Sequence, residues 1–118
     1  MSRQCTKSDA SILDRLYEVI LERRNRGGES SYVATLFASG KGAVRAKLLE
    51  EAGELADASE RGGRADIVHE AADLVFHLLV LLGQCGVSPG DIYGELARRW
   101  GTSGLEEKKN RQQKPLQA

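Results

Sequence analysis

Residues 69–83 read His69-Glu70-Ala71-Ala72-Asp73-Leu74-Val75-Phe76-His77-Leu78-Leu79-Val80-Leu81-Leu82-Gly83. From Leu74 onward only His77 interrupts the apolar run. A membrane span needs about 20 apolar residues, so this stretch is too short to be one. It shows no strict alternation, and the residues before it (Arg64 to Asp73) carry a helical period, so the whole of 64–84 reads as one long helix. The second half of that helix is apolar nearly all the way round and must be covered on every side. The other helices of a 118-residue chain can hardly do that alone. The expected architecture is therefore an all-α domain of four to five helices, a helical bundle completed by homodimerisation.

The flanking punctuation agrees. Gly27-Gly28, Gly40 to Gly42, Gly62-Gly63, Gly86 to Pro89 and Gly101 to Gly104 divide the chain into helix-sized pieces. The first helix is expected over 11–26, with Ile12, Leu16, Val19 and Ile20 as its stripe and Arg23, Arg24 and Arg26 in its last turn, where the helix dipole favours cations. A short helical turn follows at 32–37, entered through Ser30 or Ser31 as N-cap. The remaining helices are expected over 43–60, 64–84 and 88–99, the last with Ser88 as N-cap and Pro89 at its first position. One domain fills residues 1–118, with polar, mobile termini at about 1–10 and 101–118.

The 17 basic and 17 acidic side chains cancel, which argues against a broadly basic nucleic-acid binder. Aromatics make up only 5%, which argues against a base-stacking platform. With no membrane span, and a polar start from Met1 to Lys7 that precedes no signal-like apolar core, the expected location is the cytoplasm. Cys5 and Cys85 are too few and too far apart for a disulfide framework or a zinc site; Cys85 reads as a small core hydrophobe. There is no phosphate-binding Gly-x-x-x-x-Gly-Lys-Ser/Thr loop and no nucleophile elbow.

Two clusters carry the chemistry. Glu51 and Glu54 lie three apart on one helix, and Glu70 and Asp73 lie three apart on the next. Residues i and i+3 share a helix face, so each helix presents a pair of carboxylates. On the first of these helices Val44, Leu48, Ala52, Leu55 and Ala56 define the apolar face, and Glu51 falls at its edge. Glu50, Asp57, Glu60 and Arg61 read as solvated. On the second, Asp66, Glu70, Asp73, His77 and Gln84 form a narrow polar stripe through apolar surroundings. Such a stripe faces either water or something buried that needs it.

If the two helices pack side by side, the four carboxylates converge. Like charges about 5 Å apart repel by roughly 3 kcal/mol per pair at an effective dielectric near 20. The cluster then takes up protons, splays, or holds a cation. All-oxygen ligation selects a hard divalent ion, Mg²⁺ with Mn²⁺ as a possible substitute, and Mg²⁺ held this way keeps water positions open to phosphate oxygens. His69 and His77 are possible ligands, but helical histidines are more often structural.

Glu50-Glu51-x-x-Glu54 followed by Glu70-x-x-Asp73 resembles the metal-binding signature of the all-α nucleoside triphosphate pyrophosphohydrolase superfamily. Within it, three stretches resemble the phosphoribosyl-ATP pyrophosphohydrolase family: Ser31-Tyr32-Val33-Ala34-Thr35-Leu36-Phe37, the run from Glu70 to Leu82, and Arg98-Arg99-Trp100 with the closing Ser103-Gly104-Leu105-Glu106-Glu107-Lys108. The resemblance covers about residues 12–111.

The resemblance implies Mg²⁺-dependent hydrolysis of phosphoribosyl-ATP to phosphoribosyl-AMP and pyrophosphate, the second step of histidine biosynthesis. It implies Glu51, Glu54, Glu70 and Asp73 as metal ligands. Glu50, beside them, is the candidate for orienting or deprotonating the water. Lys47 lies one turn before Glu51 and either neutralises phosphate charge or forms an i,i+4 ion pair with Glu51. Arg98, Arg99 and Lys108 are candidates for the substrate's 5-phosphate. Two other readings stay open at this point: a pyrophosphohydrolase that clears surplus nucleoside triphosphates, and a non-catalytic helical dimerisation module.

Overall fold

The computed structural model describes residues 8–26 and 31–101, together with Gly104, Lys108, Lys109 and Arg111. The ends expected to be mobile fall mostly outside the described residues. Among those residues the chain forms five helices in order: α1 (Ile12–Arg26), α2 (Tyr32–Ala38), α3 (Lys41–Arg61), α4 (Arg64–Cys85) and α5 (Pro89–Arg99). No strand is present among them. The all-α expectation holds, and each helix stands within about two residues of its expected bounds.

Local chemistry sets the boundaries. The Ser31 side chain accepts from the Ala34 N–H at 3.2 Å and starts α2. Ser88 and Asp91 form a reciprocal capping box at α5, with Pro89 in the first turn. Between α3 and α4 the connection is Gly62-Gly63. Gly62 takes φ +81°, where an L side chain is strained, and its N–H closes on the Ala58 carbonyl at 3.1 Å. So short a link forces α3 and α4 into antiparallel contact, and they form the most extensive pair among the described helices.

The core is Ile20, Val33, Leu36, Val44, Leu79 and Val80, walled by Leu13, Leu16, Tyr17, Phe37 and Phe76. Helix α1 crosses α4 at Gly83, where an added Cβ would stand 3.2 Å from the Leu21 side chain. Two further ties close that end. The Tyr17 hydroxyl donates to the Val87 carbonyl at 2.7 Å. Arg24 donates to the Gly83 carbonyl at 3.0 Å while its guanidinium lies over the Phe37 ring. Helix α5 packs principally on α1, with the Tyr93 hydroxyl donating to Asp14 at 3.0 Å.

Three expectations are corrected. Ile12 is exposed, and Leu13 takes its place against the core. Cys85 is exposed, not a core residue; it lies seven positions after Leu78, itself 40% exposed, and so falls on the same outer side of α4. On α3 the buried line is Val44, Glu51 and Ala58, while Ala56 is exposed. The covered face is therefore rotated toward Glu51, because α4 packs over that side.

No single helix among the described residues is long and apolar enough to cross a membrane. Within one chain α4 stays incompletely covered: Val68, Val75 and Leu78 remain exposed.

Candidate metal centre

Glu51 sits at the centre of the α3 face that packs on α4. It is 5% exposed, and its Oε2 has no hydrogen-bond partner among the described residues. A buried carboxylate oxygen without a donor is costly, since desolvation is not repaid. One turn on, Glu54 is exposed at the edge of the same face. From α4, Glu70 comes in half-buried. Oxygens of Glu51, Glu54 and Glu70 all lie within 4.8 Å of one another. The repulsion this implies is visible in Glu54, whose carboxyl is raised above its ordinary value first by the charge of Glu51, then by burial and by Glu70.

A second group shares Glu70. His69, Glu70 and Asp73 also bring ligand atoms within 4.8 Å of one another, and His69 Nε2 stands 3.3 Å from an Asp73 oxygen. The structure thus gathers the four expected carboxylates into two overlapping sets joined at Glu70, with Asp73 on the His69 side. His69, left by the sequence as a possible ligand though more often structural in a helix, is exposed and is itself a member of the second set. Its signal was the four-residue step to Asp73.

His77 is structural, as helical histidines usually are. It is buried, its Nδ1 pairs with the Asp73 carbonyl at 2.8 Å, and its Nε2 with the Tyr32 hydroxyl at 2.8 Å. Burial raises the Tyr32 hydroxyl above its ordinary value; Lys47 opposes this, while Glu51, Glu50 and Asp73 add to it. Tyr32 therefore stands within electrostatic reach of both halves of the centre. Nothing in the residue pattern marked it except its place in the Ser31-to-Phe37 stretch.

Lys47 is tied to both neighbouring glutamates, at 2.7 Å from Glu50 and 3.5 Å from Glu51. The Glu50 hydrogen bond leads in pushing the ammonium up to about 12. The same bond, with the charge of Lys47, holds Glu50 below its ordinary value. Arg98 and Arg99 both pair with Glu95 on α5, and their hydrogen bonds lower that carboxyl to about 2. That helix packs on α1, whereas the carboxylates stand on α3 and the first half of α4. Lys108 is exposed.

The donor set suits a hard cation. It offers carboxylate oxygens from two helices, with Glu51 buried among them.

The family model of phosphoribosyl-ATP pyrophosphohydrolase matches residues 13–100, from the first turns of α1 to the end of α5. The chain belongs to this family. A phosphoribosyl-ATP pyrophosphatase of Paramagnetospirillum magneticum is 47% identical over 106 residues, 90% of this chain and 97% of the relative. One of Geotalea daltonii is 50% identical over 100 residues, 85% of this chain and 94% of the relative. A histidine biosynthesis bifunctional protein of Wolinella succinogenes is 44% identical over 100 residues, which are 44% of that longer protein. The span matched by the phosphoribosyl-ATP pyrophosphohydrolase family model includes Tyr32, Lys47, all four carboxylates and His77.

Proposed function

We propose that this chain hydrolyses phosphoribosyl-ATP to phosphoribosyl-AMP and pyrophosphate, the second step of histidine biosynthesis, with Mg²⁺ held by Glu51, Glu54, Glu70 and Asp73. The observation that carries the metal reading is the buried Glu51, whose Oε2 has no partner among the described residues, gathered with Glu54 and Glu70 so that oxygens of all three lie within 4.8 Å of one another. Family membership and the names of the relatives support the substrate.

Bound there, a divalent ion would supply charge neutralisation for phosphate oxygens and a lowered pKa for water. The chain's own residues do the rest. Water attacks the triphosphate and the bond between the α and β phosphates breaks. Glu50 is exposed, and Lys47 holds it below the ordinary carboxylate value. A lowered pKa makes a weak base, so Glu50 fits the orienting of water better than the removal of its proton. Lys47 has three donors, and its pairing with Glu50 leaves capacity for a phosphate oxygen. Both sequence readings of Lys47 are thus compatible: it forms the ion pairs and stands ready for the substrate. Arg98, Arg99 and Lys108 are the candidates for the 5-phosphate, and changing each singly to Gln and reading KM separates them.

The working unit we take to be a homodimer. The support is the outer side of α4, where Val68, Val75 and Leu78 are uncovered by the chain itself.

The deciding experiment is incubation with phosphoribosyl-ATP and Mg²⁺, with pyrophosphate release measured against dATP and dUTP. Release from phosphoribosyl-ATP alone is the expected result. Equal or faster release from the deoxynucleotides would favour a general triphosphate-clearing role.

A further inference from the structure

The carboxylate centre is divided between two helices. Glu51 and Glu54 stand on α3, Glu70 and Asp73 on α4. Its geometry therefore depends on what holds these helices at one spacing near the site. Helix α2 packs mainly on α1 and α3. From its first residue, however, the Tyr32 hydroxyl reaches α4 and pairs with His77 Nε2 at 2.8 Å. His77 Nδ1 pairs in turn with the Asp73 carbonyl at 2.8 Å.

The directions of these bonds follow from chemistry. A carbonyl only accepts, so Nδ1 carries the hydrogen, and in the neutral ring Nε2 accepts from the phenol. The imidazole is further clamped by two edge-on rings, Tyr32 at 5.8 Å and Phe76 at 5.2 Å between centroids. His77 is only 6% exposed, so the ring has little room to turn. A rigid line thus runs from α2, which lies on α3, to the turn of α4 that bears Asp73.

We infer that Tyr32 and His77 are positioning residues, whose hydrogen bond braces the α3 half of the carboxylate centre against the α4 half. The inference rests on the reading of those carboxylates as a metal centre. Outer partners that orient metal ligands typically govern metal affinity by about 10–100-fold. A hydrogen bond that merely stabilised the fold would change melting temperature and leave metal affinity alone.

The test uses Tyr32→Phe and the double variant Tyr32→Phe/His77→Phe. The first keeps the ring and strands Nε2. The second replaces both partners by apolar rings, a change that can be nearly neutral for stability. Melting by circular dichroism with and without Mg²⁺, a Mg²⁺ titration, and kcat and KM for phosphoribosyl-ATP are measured for parent and variants. The expected result is that both variants fold, need about 10–100-fold more Mg²⁺ for half-saturation, gain less melting temperature from it, and lose kcat with KM nearly unchanged. Retention of the parent's Mg²⁺ dependence and kcat in both variants would overturn the inference. If the parent itself gains no stability from Mg²⁺, the metal-centre reading fails and the inference falls with it.

Discussion

The Lys47 ammonium stands 3.5 Å from one carboxylate oxygen of Glu51, while among the described residues no donor reaches the other. The buried carboxylate is thus served on one side only, and one of its oxygens belongs to the set containing Glu54 and Glu70. Removing its charge should relieve repulsion in the metal-free protein and remove a ligand from the loaded one. For Glu51→Gln and Asp73→Asn we expect weaker Mg²⁺ binding and kcat lower by orders of magnitude. Metal-free melting should be unchanged or higher, and the gain from Mg²⁺ smaller, because only binding to the native state raises melting. Paired melts with and without Mg²⁺ check this. Lower metal-free stability with activity retained would make these residues structural.

The uncovered side of α4 yields a separate prediction. Val75 and Leu78 are exposed in the single chain, so Val75→Glu/Leu78→Glu leaves the core untouched. Sedimentation should show a dimer for the parent at micromolar concentration and loss of that dimer in the variant. Cys85 lies on the same side, one heptad beyond Leu78. Its thiol should react slowly in the parent and quickly in the variant. A folded parent monomer at micromolar concentration would end the dimer reading.

The helices were legible because their ends carry local chemistry: Ser31, Gly62-Gly63, and the Ser88-Pro89 start act within a few residues of themselves. The carboxylate pairs were legible because i,i+3 spacing is local too. What sequence did not reveal depends on packing between helices. Hydropathy put Glu51 at the edge of the α3 face, but α4 covers that edge and makes it the centre. Cys85 looks apolar enough for the core, yet its angular position places it beside Leu78. Tyr32 and His77 are 45 positions apart, and only the fold brings them together.

Glu95 gives a pH prediction. Arg98 and Arg99 lower its carboxyl to about 2. A carboxyl lowered in the folded state adds stability above its unfolded value and loses it as pH falls toward the folded value. The contribution is therefore present at pH 5 and fades toward pH 2. The melting difference between parent and Glu95→Gln should shrink over that range. The effect is small, because the group is solvent-exposed and screened. A difference that stays constant with pH would mean that Glu95 contributes through packing.

Two helical glycines should answer differently to the same substitution. Glycine inside a helix costs roughly 0.5–1 kcal/mol relative to alanine. Among the described residues nothing lies within 4 Å of a Cβ added at Gly94 in α5, so Gly94→Ala should collect that gain. For a domain of this size that is a rise of a few degrees in melting temperature. At Gly83 the same Cβ would meet Leu21 at 3.2 Å, Phe37 at 3.6 Å and Tyr17 at 3.7 Å. There the propensity gain is set against pushing α1 away from α4, and Arg24, hydrogen-bonded to the Gly83 carbonyl, would be displaced with it. Close-packed interiors give way only partly, and overpacking typically costs about 1–3 kcal/mol. Gly83→Ala should therefore melt at or below the parent. A rise equal to that of Gly94→Ala would show that Leu21 moves aside freely and that the α1–α4 crossing does not need glycine.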